Sequence, residues 1–122
     1  MKHQAKSIRP FIGSKNFEIS RNFYRDLGFE ESVISPNMSY FEIFDNLGFY
    51  LQNDFVADWI NNTMVFVEVA DVEKHYETLQ ALNLPATYQD VKLESVRHES
   101  WGSECFLHDP SGILWHFGAF LS

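Results

Sequence analysis

Five histidines, seventeen carboxylate side chains and one cysteine are the groups in this chain that could move protons, hold a metal or act as nucleophiles. His98 and Glu99 are adjacent within a polar stretch, and His108 stands just before a turn. His116 lies in a largely apolar run near the C-terminus. None of these spacings is a known signature. HExxH, paired cysteines, a Gly-x-Ser-x-Gly elbow and a Gly-rich phosphate loop are all absent. Adjacent His and Glu residues in a loop are ordinarily just solvated. Cys105 is followed by Phe106 and Leu107, a setting in which a thiol is buried and inert. A lone cysteine also excludes an intrachain disulfide. One acid–base pair is geometrically open: His116 with Glu68, if strand alternation sets both on one face. The plainer reading of the same two residues is a pair of polar groups satisfied at a rim.

The elements that must position these groups come in two similar sets. Ile12–Glu18 and Val67–Glu73 follow one pattern. Each ends a strand-like run, supplies a helix N-cap (Asn16, Asp71), and places an apolar then an acidic residue in the first turn. Both helices stop alike, at Leu27-Gly28-Phe29 and Leu82-Asn83-Leu84, with residues that tolerate a left-handed cap. Asp45-Asn46-Leu47-Gly48 is matched later by Asp109-Pro110-Ser111-Gly112. A repeat near half the chain implies two modules facing each other, with a ligand site between them.

Periodicity places a first strand at about 7–12 and a helix at 16–27, with Ile19, Phe23 and Leu27 as its apolar stripe. Short strands follow at 30–34, 38–44 and 49–52, separated by turn residues. Residues 53–62 form a connector that packs through Phe55, Val56, Trp59 and Ile60. The second module opens with an apolar strand at 64–69 and a helix at 71–82 carrying Val72, Tyr76 and Leu79 on one face. Residues 86–91 read as a strand and 92–103 as a long polar loop. A hairpin of 104–108 and 113–120 closes the chain. The order is βαβββ twice: one domain over residues 1–122, with modules at about 7–53 and 63–121.

Composition narrows the function. The chain has 45% hydrophobic residues, with twelve Phe, five Tyr and three Trp. That is enough for a core, with aromatic surplus for an apolar cleft. A net charge of −8 leaves no basic stripe for phosphates, so no nucleic-acid partner is expected. No run approaches the ~18 apolar residues of a membrane span, and the N-terminus leads into no apolar signal core. A cytoplasmic protein with no membrane partner is the expectation.

Asn22-Phe23-Tyr24-Arg25-Asp26-Leu27-Gly28-Phe29, Val69-Ala70-Asp71-Val72 and Asp109-Pro110-Ser111-Gly112 stand in this order on an internal repeat. In this the chain resembles the vicinal oxygen chelate superfamily, over essentially its whole length. That group includes glyoxalase I, fosfomycin-resistance thiol transferases, extradiol dioxygenases, methylmalonyl-CoA epimerase and the bleomycin-resistance binding proteins. Asp26-Leu27-Gly28-Phe29, Ala57-Asp58-Trp59 and Trp101-Gly102 make it look most like the bleomycin-resistance type. The resemblance implies an α+β fold, two tandem βαβββ modules forming a curved mixed sheet around a cavity. It also implies a homodimer with ligand crevices between subunits.

Enzymes of this superfamily mostly hold a divalent metal on His, Glu or Gln from strands one, four, five and eight. Carried onto this chain, those positions are Arg9, Gln52 (or Tyr50), Met64 and His116. Arg9 repels a cation and Met64 suits only soft ions. No metal, no cofactor and no catalytic residue are therefore expected. The expected ligand-binding residues are Arg9, Phe11, Gln52, Met64, Phe66, Glu68, Leu114 and His116, with Tyr50 as the alternative to Gln52. Trp59 and Trp101 could stack on a planar group, or equally be buried at a contact. The expected function is metal-independent binding of a small molecule, an antibiotic or aromatic compound. The competing expectation is a superfamily enzyme (lyase, isomerase or thiol transferase) with a divergent or incomplete metal site.

Overall fold

The computed structural model describes residues 2–121. Its elements are β1 (Phe11–Ile12), α1 (Phe17–Asp26), β2 (Glu30–Ser35), β3 (Met38–Phe44), β4 (Leu47–Gln52), α2 (Ala57–Asn61), β5 (Met64–Glu68), α3 (Val72–Leu82), α4 (Leu84–Thr87), β6 (Lys92–Glu99), β7 (Gly102–His108) and β8 (Leu114–Phe120). They form two four-stranded mixed sheets with the same topology, β1-β4-β3-β2 and β5-β8-β7-β6. In each, the first and last strands of the module run parallel and the rest antiparallel.

The repeated helix signals do what their chemistry dictates. Asn16 and Asp71 cap their helices by accepting from Ile19 N and Lys74 N at 3.1 Å each. Gly28 and Asn83 adopt left-handed backbone just past the helix ends (φ 103° and 51°). The buried side of α1 is Phe17, Ser20, Phe23 and Tyr24. Ile19, expected on the stripe, is exposed. The burying face is therefore rotated toward Tyr24, because a polar pair of buried groups, Ser20 and Tyr24, finds partners there.

Three further expectations are corrected. The first strand shrinks to Phe11–Ile12, since Pro10 has no N–H to donate and offers only its carbonyl, to Tyr50 N. Residues 86–91 are not a strand: Leu84–Thr87 form a short helix with Pro85 in its first turn. Residues 92–103 are not a loop, because Lys92–Glu99 form an edge strand paired to β7. A bulge between Glu94 and Arg97 shifts the register, so Leu93 and Val96 both turn to the core. That breaks the two-residue alternation by which a strand is read. Charged residues on a sheet edge also discourage edge-to-edge association.

The two sheets share one core. Phe41, Phe49 and Leu51 of the first sheet and Leu107, Trp115 and Phe117 of the second are buried in a single cluster with Phe23 and Tyr24. At its centre is a buried polar junction. Tyr24 donates to Asp109 Oδ2 at 2.6 Å, and Trp115 Nε1 donates to the Tyr24 hydroxyl at 2.9 Å. Asp109 Oδ1 accepts the N–H groups of Ser111, Gly112 and Ile113 at 2.8–2.9 Å. Ser111 Oγ in turn accepts from Lys15 N and lies 3.3 Å from Ser20 Oγ. The β7–β8 turn of module two is thereby tied to α1 of module one. Burial raises the Asp109 carboxyl, and the Tyr24 and backbone donors offset that in part.

A second polar tie is peripheral. Glu31 on β2 takes Arg21 Nε at 2.6 Å, Ser39 Oγ at 2.7 Å and Arg25 Nη1 at 3.2 Å. Burial pushes this carboxyl up, but these donors together outweigh it and hold it below the usual range.

Tyr24→Phe removes one donor to Asp109 and the acceptor of Trp115. It should lower unfolding stability by about 1–3 kcal/mol in a urea titration. The Asp109 shift also sets a sign. Its folded value lies above its unfolded one, so ionisation costs the folded state and stability is greatest with the carboxyl protonated. Relative to Asp109→Asn, the wild type should therefore gain stability as pH falls from neutral toward about 4. A flat difference across that range would refute the assignment.

Candidate functional site

Alternation along the strands sends one face of each sheet into the shared core and leaves the other open. The open faces carry the residues singled out from sequence, in two separate groups. On the first sheet, Arg9 Nη1 donates to the Tyr50 hydroxyl at 3.1 Å and Nη2 to Asn46 Oδ1 at 3.2 Å. The Arg9 guanidinium lies 4.2 Å from the centre of the Tyr40 ring. Phe11 stacks on Tyr50 with ring centres 4.9 Å apart. The hydrogen bond to Tyr50 raises the Arg9 pKa further, so the charge there is permanent. Arg9 Nε and the Tyr40 hydroxyl are covered and have no hydrogen-bond partner among the described residues. Beside this group, Phe11, Gln52, Trp59, Val56 and Asp54 line a cleft of about 140 Å³.

The second group is on the other sheet. His116 Nδ1 lies 2.8 Å from Glu104 Oε1, and its Nε2 faces Met64 Sδ at 3.4 Å. Phe66 lies across Gly118, where an added Cβ would come within 2.6 Å of the ring. Trp101 and Phe120 flank Phe66 at 6.1 and 5.6 Å. Leu114 is paired with Met64 in register and is half-buried. Next along the face, His108 Nε2 lies 2.8 Å from Glu94 Oε2, and the His108 hydrogen bond leads the set of contacts holding that carboxyl low. Arg97 covers the Phe106 ring at 5.0 Å.

The proposed His116–Glu68 pair is not formed. Glu68 pairs in register with Gly118 and lines a different cleft, of about 250 Å³, with Ile8, Pro10, Leu47 and Phe66. Glu104 takes its place because it sits diagonally from His116 across β7–β8, within reach of a long side chain. Sequence reasoning missed Glu104, Glu94 and Tyr40. Extending strand alternation to β3 and β7 would have placed Tyr40 and Glu104 on the open faces.

The register also corrects the matching of modules. Phe11 pairs with Tyr50 as Phe66 pairs with His116, so Tyr50, not Gln52, is the counterpart of His116. The two tetrads, Asp45–Gly48 and Asp109–Gly112, are not structurally equivalent. Asp45 and Asn46 form a two-residue hairpin turn with φ of 32° and 67°, and Gly48 lies inside β4. Residues 109–113, by contrast, form the longer loop between β7 and β8.

These positions do not suit a hard divalent cation. Arg9 holds a fixed positive charge against Tyr50, and the nearest donor to His116 Nε2 is a thioether, a ligand for soft ions. Among the described residues, no three His, Cys, Asp or Glu side chains converge as a metal-binding group. What the arrangement offers an organic ligand is aromatic surface, one cationic anchor and a carboxylate-oriented imidazole. Among the described residues, no helix is long and apolar enough to cross a membrane.

No family model and no curated protein matches the sequence. Solved structures do. A bleomycin-binding protein from bleomycin-producing Streptomyces verticillus, complexed with copper(II)-bleomycin, superposes with a TM-score of 0.80 at 17% identity, covering 98% of this chain and 100% of that one. A bleomycin resistance determinant encoded on the transposon Tn5 gives 0.76 at 16% identity, covering 97% and 100%. Lactoylglutathione lyase from Agrobacterium tumefaciens gives 0.68 at 13% identity, covering 96% of each chain. Such identities speak to the fold alone, which is the fold of these bleomycin-binding proteins.

Proposed function

We propose that this chain is a metal-independent small-molecule binding protein of the bleomycin-resistance type, sequestering an antibiotic or another aromatic compound. The observation that carries this reading is the pair of open faces. Phe11, Trp59, Met64 and Phe66 are 59%, 70%, 65% and 44% exposed in the single chain. Apolar side chains clustered this openly mark a binding surface. They stand beside an oriented cation and, at the metal positions, donors that suit no hard cation. In this reading a second copy of the chain supplies the opposite wall, and the homodimer holds a crevice that one chain leaves open. The bleomycin-binding structures share the fold of this chain, and the bleomycin that those proteins carry supports the reading. A thermal-shift screen across antibiotics and aromatic compounds tests the reading, since a ligand that binds only the native state raises its stability. A hit that also shifts the monomer–dimer balance in analytical ultracentrifugation supports the shared crevice. No stabilisation by any compound would mean a vestigial cavity.

One observation favours a second reading, a metal-free enzyme of the superfamily. His116 is held by Glu104 through Nδ1, with Nε2 toward the open face, as an imidazole acting in acid–base catalysis would be. Turnover undiminished in His116→Ala would eliminate it.

Two substitutions test the binding face directly. Arg9→Ala should weaken an anionic ligand about tenfold, the scale of a charge-assisted hydrogen bond, and leave a cationic ligand unchanged or tighter. Equal loss of both would contradict the role given to Arg9. Gly118→Ala should drive Phe66 off its seat, because the new methyl occupies the space of the ring. Calorimetric titration should then show weakened binding of an aromatic ligand with the far-ultraviolet spectrum unchanged.

A further inference from the structure

The sheet face opposite His116 carries a second constellation. His98 on β6 and Ser103 on β7 are paired directly in register. His98 Nδ1 lies 2.8 Å from Ser103 Oγ. Its other nitrogen, Nε2, lies 3.5 Å from Glu73 Oε1, and Glu73 is in the first turn of α3. Ser103, Glu73, Val72, Ala119, Phe120 and Leu121 line a cleft of about 240 Å³. A hydroxyl, an imidazole on it and a carboxylate on the far side of the ring are the three parts of an activated nucleophile, recognised by roles and geometry and not by chain order.

Alternation separates this site from the candidate ligand face. Glu104 and Phe106 point to the open face with His116, while Ser103 turns to the α3 side. The opening of α3 adds donors. The first amides of a helix have no intrahelical acceptor, and the Asp71 cap takes only Lys74 N. The N–H groups of Val72 and Glu73 have no acceptor within the helix, and both residues line the cleft with Ser103.

We propose that Ser103, His98 and Glu73 hydrolyse small activated carboxylic esters in this cleft, with the acyl chain against Ala119 and Leu121. Ser103 Oγ bonds to the ester carbonyl carbon while His98 Nδ1 takes its proton. The carbonyl electron pair moves to oxygen, then returns to expel the alkoxide, which leaves with the proton from His98. Solvent water attacks the acyl-serine, giving a proton through His98 back to Ser103 Oγ and releasing the carboxylic acid. Glu73 is a positioning residue: it orients the ring. The His98 and Glu73 side chains are 73% and 63% exposed. Solvent therefore screens the pair, and activated esters with good leaving groups are the substrates that such a site can turn over.

The test uses the intact protein with a fluorophosphonate probe and p-nitrophenyl butyrate. The expected result is covalent labelling at Ser103, located by peptide mass spectrometry, with ester hydrolysis above the buffer rate. Ser103→Ala should abolish both with an unchanged circular dichroism spectrum. His98→Asn should lower turnover about 100-fold, the scale of a general base. Glu73→Gln should lower kcat with KM unchanged and Glu73→Asp should restore part of the loss, a pattern that a merely structural role would not give. Wild-type protein that leaves Ser103 unlabelled, or hydrolysis that survives Ser103→Ala, would overturn the proposal.

Discussion

The arrangement of this molecule depends on one buried carboxylate. Asp109 has no access to solvent, and a carboxylate in that position is tolerable only if its oxygens are fully engaged. Three backbone N–H groups and the Tyr24 hydroxyl engage them. Because Tyr24 belongs to the first module and Asp109 to the second, satisfying the charge fixes the modules against each other. Trp115 and Ser111 extend the same junction to β8 and to α1. Aromatic packing of Tyr24 against Phe41, Phe49 and Trp115 surrounds it. Hydrophobic burial supplies the bulk of the driving force, but it is non-directional. The polar junction selects one docking out of the many that burial alone would allow.

Fixing the modules through their helix-side faces leaves the opposite faces of both sheets to solvent. One backbone plan thus presents two surfaces of different chemistry. At matching register positions the first sheet offers Arg9 on Tyr50, and the second offers Met64 on His116. The first pair excludes a cation by charge, and the second lacks hard donors. What remains is aromatic area with a guanidinium and an imidazole at its edges, an arrangement suited to holding an organic molecule. The fold is shared by bleomycin-binding proteins and a lactoylglutathione lyase. The fold is therefore neutral between binding and catalysis, and the side chains carry the distinction.

The parts legible in the sequence were those with local causes. Asn16 and Asp71 cap helices through their own side chains, and Gly28 and Asn83 end them by left-handed backbone. Those signals gave both modules and their βαβββ order. The parts missed had non-local causes. The bulge in β6 lets Leu93 and Val96 face the core together, so a strand read as a loop. Gly48 resembles Gly112 in a short motif, yet it lies inside β4, which is why the sequence leaves Gln52 and Tyr50 both open as the counterpart of His116 and only the register selects Tyr50. Ser103 and His98 meet only because β6 and β7 pair across a tight turn, and in sequence the polar stretch holding both reads as a loop. Arg9, Phe11, Met64, Phe66 and His116 could be picked out because they belong to strands with clean alternation. That they stand as two groups on two sheets was not legible, since it follows from how the modules dock.

The most direct test of the central claim is metal content. The untagged protein would be offered manganese, iron, cobalt, nickel and zinc in turn, desalted, and its metal measured by mass spectrometry. The proposed binding face of Arg9, Tyr50, Met64 and His116 predicts that none is retained. Near-stoichiometric retention of any one would contradict the account and turn His116 from an anchor for an organic ligand into a metal ligand.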